Sequence, residues 1–185
     1  MIKPPLRPIA LSFALLAATI GSLLAAPGPD GLLGAWLAAL MLAIGITDSR
    51  RYIIPNELTG AAAALALLRA GLVGPDADLY AVMSAALRAA AIALPFLALM
   101  AGYRRWRGRD GLGLGDVKLA AVAGAWLGWV TIFAVVELAT LAALGAYVAG
   151  GYWRRRPLRA TAFLPFGAFL APAIWIGWLA EALLN

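Results

Sequence analysis

The sequence predicts an all-α protein: a polytopic membrane helix bundle of about seven transmembrane helices, with its N-terminus in the cytoplasm. Three observations predict it. First, 64% of the 185 residues are apolar, 13% are charged and mean hydropathy is +0.88; a soluble domain averages about 45–50% and about 25%. So short a chain has too little interior to hide that much apolar surface from water. Second, apolar stretches near the ~20 residues needed to cross a bilayer recur between short polar breaks. Third, the basic residues fall in every second break. A disordered chain, a coiled coil and an ordinary soluble enzyme are excluded.

The elements follow in order. Residues 9–26 form the first apolar span, ended by the break 27–30. The second span is 31–47, the third 58–73 and the fourth 79–101, separated by breaks at 48–57 and 74–78. The polar loop 102–115 follows. From 116 to 153 the chain is too long for one span and short for two. A split at 128–131 gives a short helix over 116–127 and a longer one over 132–152; after 154–159, the last span is 163–184.

Charge sets the orientation. Lys3 and Arg7 precede the first span, Arg50 and Arg51 lie in the second break, Arg104, Arg105, Arg107 and Arg109 in the fourth, and Arg154, Arg155, Arg156 and Arg159 in the sixth. The breaks 27–30 and 74–78 carry acidic residues and neither Lys nor Arg. The positive-inside rule then puts the even-numbered breaks in the cytoplasm. The net charge of +6 reads as this bias and as attraction to anionic membrane lipid, not as affinity for nucleic acid. Trp126, Trp129, Trp175 and Trp178 are expected at the outer interface. The first span resembles a signal peptide, but Leu24 stands where a small residue is preferred and Pro27 follows, so a retained helix is expected. Residues 1–185 read as a single domain.

Cysteine and histidine are both absent. That removes disulfides, cysteine zinc sites and Ser–His–Asp or Cys–His catalysis; no metal or other cofactor is expected. Nine carboxylates remain. Asp30, Asp76, Asp78 and Glu181 fall on the outer side and read as solvated. Asp48 ends the second span and Asp116 opens the fifth, both at the cytoplasmic edge of the hydrocarbon. Two carboxylates at one depth can hold a water and a proton between them, one serving as base and the other as acid. Aspartic peptide hydrolysis requires that arrangement. Asp116 also suits a helix N-cap, and Asp48 a pair with Arg50 or Arg51. Gly111, Gly113 and Gly115 alternate before Asp116, which permits unusual backbone angles and close approach of another segment. The run lacks the spacing of a dinucleotide fingerprint. Pro55 blocks extension of the preceding helix, and Asn56 suits the cap of the next.

Asp48 followed by Ile54-Pro55-Asn56-Glu57-Leu58-Thr59 resembles the first aspartate motif of the type IV prepilin peptidases. Gly113-Leu114-Gly115-Asp116-Val117-Lys118-Leu119 resembles their Gly-x-Gly-Asp motif with its following lysine. Gly124-Ala125-Trp126-Leu127-Gly128 and Leu164-Pro165-Phe166-Gly167-Ala168-Phe169-Leu170-Ala171-Pro172 are also similar to the family, which often has proline where Ala168 stands. The resemblance implies a membrane aspartic endopeptidase of the bacterial inner membrane. It would remove the basic leader of prepilins or pseudopilins on the cytoplasmic side, with Asp48 and Asp116 catalytic. Many members carry a further cysteine-containing part that methylates the new N-terminus. This chain resembles the short, peptidase-only forms. The pilin cut, the secretion system served and the oligomeric state are left open.

Lys118 lies two residues from Asp116, about 200° around a helix, and suits either a substrate carboxyl or lipid phosphate, or snorkelling to the interface. Glu57 and Asp110 are candidates for binding a basic leader. Glu137, the one carboxylate well inside a span, is expected to pair with Arg88, or else Arg69, because an intramembrane charge seeks a partner or a cavity. The alternative function is a small transporter or channel subunit using these carboxylates.

Overall fold

A computed structural model describes residues 8–73, 76–108, 113–153, 155 and 164–184. The described residues form seven α-helices: α1 (Pro8–Ala25), α2 (Pro29–Arg51), α3 (Asn56–Leu72), α4 (Leu79–Arg107), α5 (Leu114–Trp126), α6 (Trp129–Trp153) and α7 (Gly167–Leu184). Four of them (α2, α4, α6 and α7) are long and apolar enough to cross a membrane, by length and composition, whereas α3 and α5 are shorter.

Several ends differ from expectation for local reasons. Helix α2 runs past Asp48 to Arg51 because nothing breaks it before Tyr52, which adopts a left-handed conformation and returns its N–H to the Asp48 carbonyl. Helix α4 continues to Arg107, where Gly108 supplies a left-handed cap and three arginines occupy the last turn. Positive charge there favours the negative end of the helix dipole. Asp78, expected to be merely solvated, caps α4 by accepting the Ala81 N–H at 2.8 Å. The break between α5 and α6 is tight. Gly128 donates its N–H to Glu181 Oε1 at 2.7 Å, so Glu181 ties the far end of α7 to this turn.

Helix α5 is the centre of the bundle. From Val117 to Trp126 most of its residues are buried. It packs against α3, α4 and α7; α2 lies against α3 and α7; α1 covers α2, and α6 covers α7. The core joins Leu37, Met41 and Ile44 of α2 to Leu119 and Val122 of α5 and Leu170 and Ile174 of α7. Outward faces are apolar too: Leu16 and Leu24 on α1, Leu87 and Leu94 on α4, and Phe133 and Leu141 on α6 are exposed. Apolar residues inside and outside are what a hydrocarbon solvent requires and what water would penalise.

Trp126 and Trp178 do not belong to an outer interface. Both are almost wholly buried, and Trp126 donates its indole N–H to the Ala62 carbonyl at 2.9 Å. Above it, Arg69 of α3 pairs with Asp30 of α2, Nε to Oδ1 at 2.6 Å and Nη2 to Oδ2 at 3.0 Å. The guanidinium also lies 5.7 Å from the Trp126 ring centroid. Asp30 is thus half of a two-pronged ion pair at the end of the bundle opposite Asp48. Asp30→Asn and Arg69→Gln are each expected to destabilise the detergent-solubilised protein by about 1–3 kcal/mol, the range for losing a charged hydrogen bond. The double variant should lose clearly less than the sum. Additive losses in thermal midpoints would show that the pair contributes nothing.

The expected Glu137–Arg88 pair does not form. Helix α4, bearing Arg88, lies against α3 and α5, while α6, bearing Glu137, packs mainly on α7. Glu137 is exposed on the outer face of α6. Arg88 turns instead along its own helix, donating from Nη1 to Ser84 Oγ at 3.4 Å. Different packing partners of α4 and α6 thus keep the two residues apart.

Candidate active site

At the other end, the last turn of α2, the link 52–55 and the first turns of α3 and α5 enclose a cavity of about 320 Å³. Asp48, Ile54, Asn56, Gly115, Asp116 and Lys118 are among the residues that line it. The two aspartates come from different helices and interact electrostatically across this cavity.

Asp48 is 5% exposed. Burial of a carboxylate requires donors, and these come from the start of α7. The Ala168 N–H bonds Asp48 Oδ2 at 2.9 Å, and the Gly167 N–H bonds the same carboxylate. The first N–H groups of a helix have no intrahelical acceptor and sit at its positive end. Asp48 therefore caps α7 from 120 residues away, and α7 in return fixes the Asp48 carboxylate. Neither Arg50 nor Arg51, both exposed, is its partner.

Asp116 is the third residue of α5, whose N-cap is Gly113. Its carboxylate reaches back to the Gly113 backbone N–H, the carboxylate half of a capping box. It thus stabilises the helix start without being the cap residue itself, and it still lines the cavity. Gly113 is extended, and Gly115 has no positive φ. Gly113 and Gly115 are not there for unusual backbone angles. Gly115 provides close approach: a Cβ on it would lie 2.9 Å from Ile54 Cβ. Gly111 and Asp110 lie outside the described residues.

Pro55 is the N-cap of α3, and Asn56 its first residue, making no side-chain cap bond. Asn56 instead accepts a hydrogen bond from Lys118 Nζ at 2.6 Å. That bond joins the starts of α3 and α5 beside the cavity. Thr59, buried, returns its hydroxyl to the Pro55 and Asn56 carbonyls. Glu57 is exposed in the first turn of α3 and does not line the cavity. Ile54, Gly167 and Ala168 are the parts of the site that sequence reasoning missed. Ile54 is buried and wedged between Gly115 and Gly167; it stands in the first aspartate motif by resemblance, with no role assigned. The run from Leu164 to Pro172 marked α7 by resemblance but assigned it no role.

The fold and cavity thus define a polytopic helix bundle that gathers two carboxylates, one lysine and no thiol or imidazole at one end. Residues 35–149 match the family model described as the type IV leader peptidase family. The chain belongs to that family. It is 36% identical over 171 residues to the prepilin leader peptidase/N-methyltransferase of Burkholderia pseudomallei (strain 1026b), covering 89% of this chain and 53% of the relative. The prepilin leader peptidase/N-methyltransferase of Aeromonas hydrophila is 32% identical over 172 residues, covering 92% and 57%. The leader peptidase HopD of Escherichia coli is 34% identical over 142 residues, covering 76% and 88%. The chain therefore spans about half the length of the first two relatives and most of HopD's. No solved structure matches it. The transport reading finds no support among these relatives.

Proposed function

We propose that the chain is a membrane aspartic endopeptidase that cuts the basic leader from prepilins or pseudopilins at the cytoplasmic face of the bacterial inner membrane. Residues 1–185 act as one peptidase domain of the Gly-x-Gly-Asp type. The observation that carries this is the sharing of one cavity by Asp48 and Asp116, each held by backbone N–H groups of a helix start.

The chemistry follows from that geometry. A water held between the carboxyls gives its proton to the ionised one as its oxygen attacks the scissile carbonyl. The protonated one stabilises the oxyanion and, after proton exchange, the leaving amine is protonated. Asp48 is the more firmly oriented, because α7 clamps it. Lys118 and Asn56 brace the two helix starts and so hold the carboxyl separation. Glu57, exposed and next in the chain to Asn56 of the cavity wall, and Asp110 would offer negative charge to a basic leader.

The test is cleavage of a synthetic prepilin by the purified chain in lipid, read by mass. The expected products are the basic leader and a mature chain that begins at or next to its hydrophobic segment. The pH profile of kcat/KM should be bell-shaped, because the reaction needs one carboxyl with a proton and one without. EDTA should leave the rate unchanged. A chain that cuts no prepilin under any of these conditions overturns the assignment.

A further inference from the structure

A second cavity, of about 290 Å³, lies at the opposite end of the bundle between α3, α4 and α5. Its lining includes Arg69, Arg88, Ser84, Asp76, Ala81 and Ala125. The two arginines differ in one respect. All three nitrogens of Arg69 are engaged, two by Asp30 and the third by the Trp126 carbonyl at 3.5 Å. Arg88 has no acidic partner among the described residues. Its Nε is buried without any hydrogen-bond partner, and Nη1 makes only the long bond to Ser84. Asp76 is exposed at the rim and makes no ion pair with it. Glu137, the acid that depth along the chain would pair with it, is on another flank.

A guanidinium placed in a helix bundle with a buried, unsatisfied N–H is costly unless an anion reaches it. The neighbours are alanines on all three helices, which leave room for one. We propose that this cavity binds a phosphate-class anion, with Arg88 as its principal donor and Ser84 and Arg69 at its edge. Guanidinium suits this ligand because its forked N–H groups match two phosphate oxygens at once. The anion is supplied either by a phospholipid headgroup entering between α3 and α4 or by free phosphate. This site is remote from the aspartates and independent of the proposed peptidase activity.

The test uses the full chain, delipidated in a non-ionic detergent, with its thermal midpoint followed by tryptophan fluorescence. Three additions are compared: dioleoyl phosphatidylglycerol, dioleoylglycerol, which has the same chains without phosphate, and inorganic phosphate against chloride at equal ionic strength. Phosphatidylglycerol should raise the midpoint by roughly 5–10 °C near 100 times its dissociation constant, and dioleoylglycerol should not. A rise with phosphatidylglycerol alone identifies a lipid headgroup; an equal rise with inorganic phosphate identifies the free anion. R88Q should abolish the response. A81L, which fills the cavity and keeps both arginines, should do the same and decides the matter if R88Q does not fold. Absence of any phosphate-dependent rise in the wild-type chain, or an undiminished rise in a folded R88Q or A81L protein, overturns the proposal.

Discussion

Asp48→Asn and Asp116→Asn are each expected to lower leader cleavage by at least ~10³-fold while leaving the protein inserted and folded. The loss is large because acid and base are both required, and an amide supplies neither. The fold should tolerate the change because the structural bonds need only an acceptor. In Asp48→Asn the side-chain amide oxygen can still take the Ala168 N–H now bonded at 2.9 Å. In Asp116→Asn the amide oxygen can still take the N–H of Gly113. Expression level and thermal midpoint serve as controls. Combining the two substitutions should cost little more than either alone, because a dyad acts as one unit. Cleavage within tenfold of wild type by either folded variant would remove that aspartate from the mechanism.

How much of this was legible depends on which physical quantity the sequence encodes. Depth along a helix is legible, since each residue adds a fixed rise. Apolar runs and arginine-bearing breaks therefore indicate seven helices and place Asp48 and Asp116 at one end. Adjacency of helices is not encoded that way. The chain positions of Arg88 and Glu137 suggest a pair, yet α4 packs on α3 and α5 while α6 packs mainly on α7, and the expected pair does not form. Asp30, a loop acid by position, meets Arg69 because α2 and α3 are neighbours. The aromatic residues show a similar limit. Trp126 and Trp178 stand at span ends, which suggests an interface, but packing of α5 and α7 through the centre buries them.

The clamp on Asp48 was illegible for a different reason. Its donors are backbone N–H groups, which every non-proline residue carries, so Gly167 and Ala168 give no side-chain signal. Gly115 shows the opposite case. Its glycine is visible in the sequence, but the reason for it is Ile54, an ordinary apolar residue until the chain from α2 to α3 folds it against both helix starts.

That wedge makes Gly167→Ala the sharpest probe of how the proposed dyad is positioned. A Cβ at 167 would stand 2.6 Å from Ile54 Cδ1 and 3.0 Å from Asp48 Oδ2. The first contact is closer than real Cβ atoms show, so something must move. The end of Ile54 can swing, but it is wedged against Gly115, where a Cβ would already lie 2.9 Å from Ile54 Cβ. The strain therefore passes to Asp48 and to the start of α5. Gly167→Ala should leave most of the fold intact, since α7 remains helical and its core residues Leu170 and Ile174 are untouched. It should lower kcat by ~10²-fold, the scale on which a displacement of about 1 Å acts on catalysis, with little change in KM. Ile54→Val removes the methyl nearest the new Cβ. Added to Gly167→Ala, it should recover about tenfold of the lost rate, although Ile54→Val alone should slow the enzyme slightly or not at all. Recovery in the double variant would tie the loss to the Ile54 wedge beside the Asp48 carboxylate. Simple multiplication of the two single effects would show that the start of α7 acts on the rate by some route other than the Ile54 wedge.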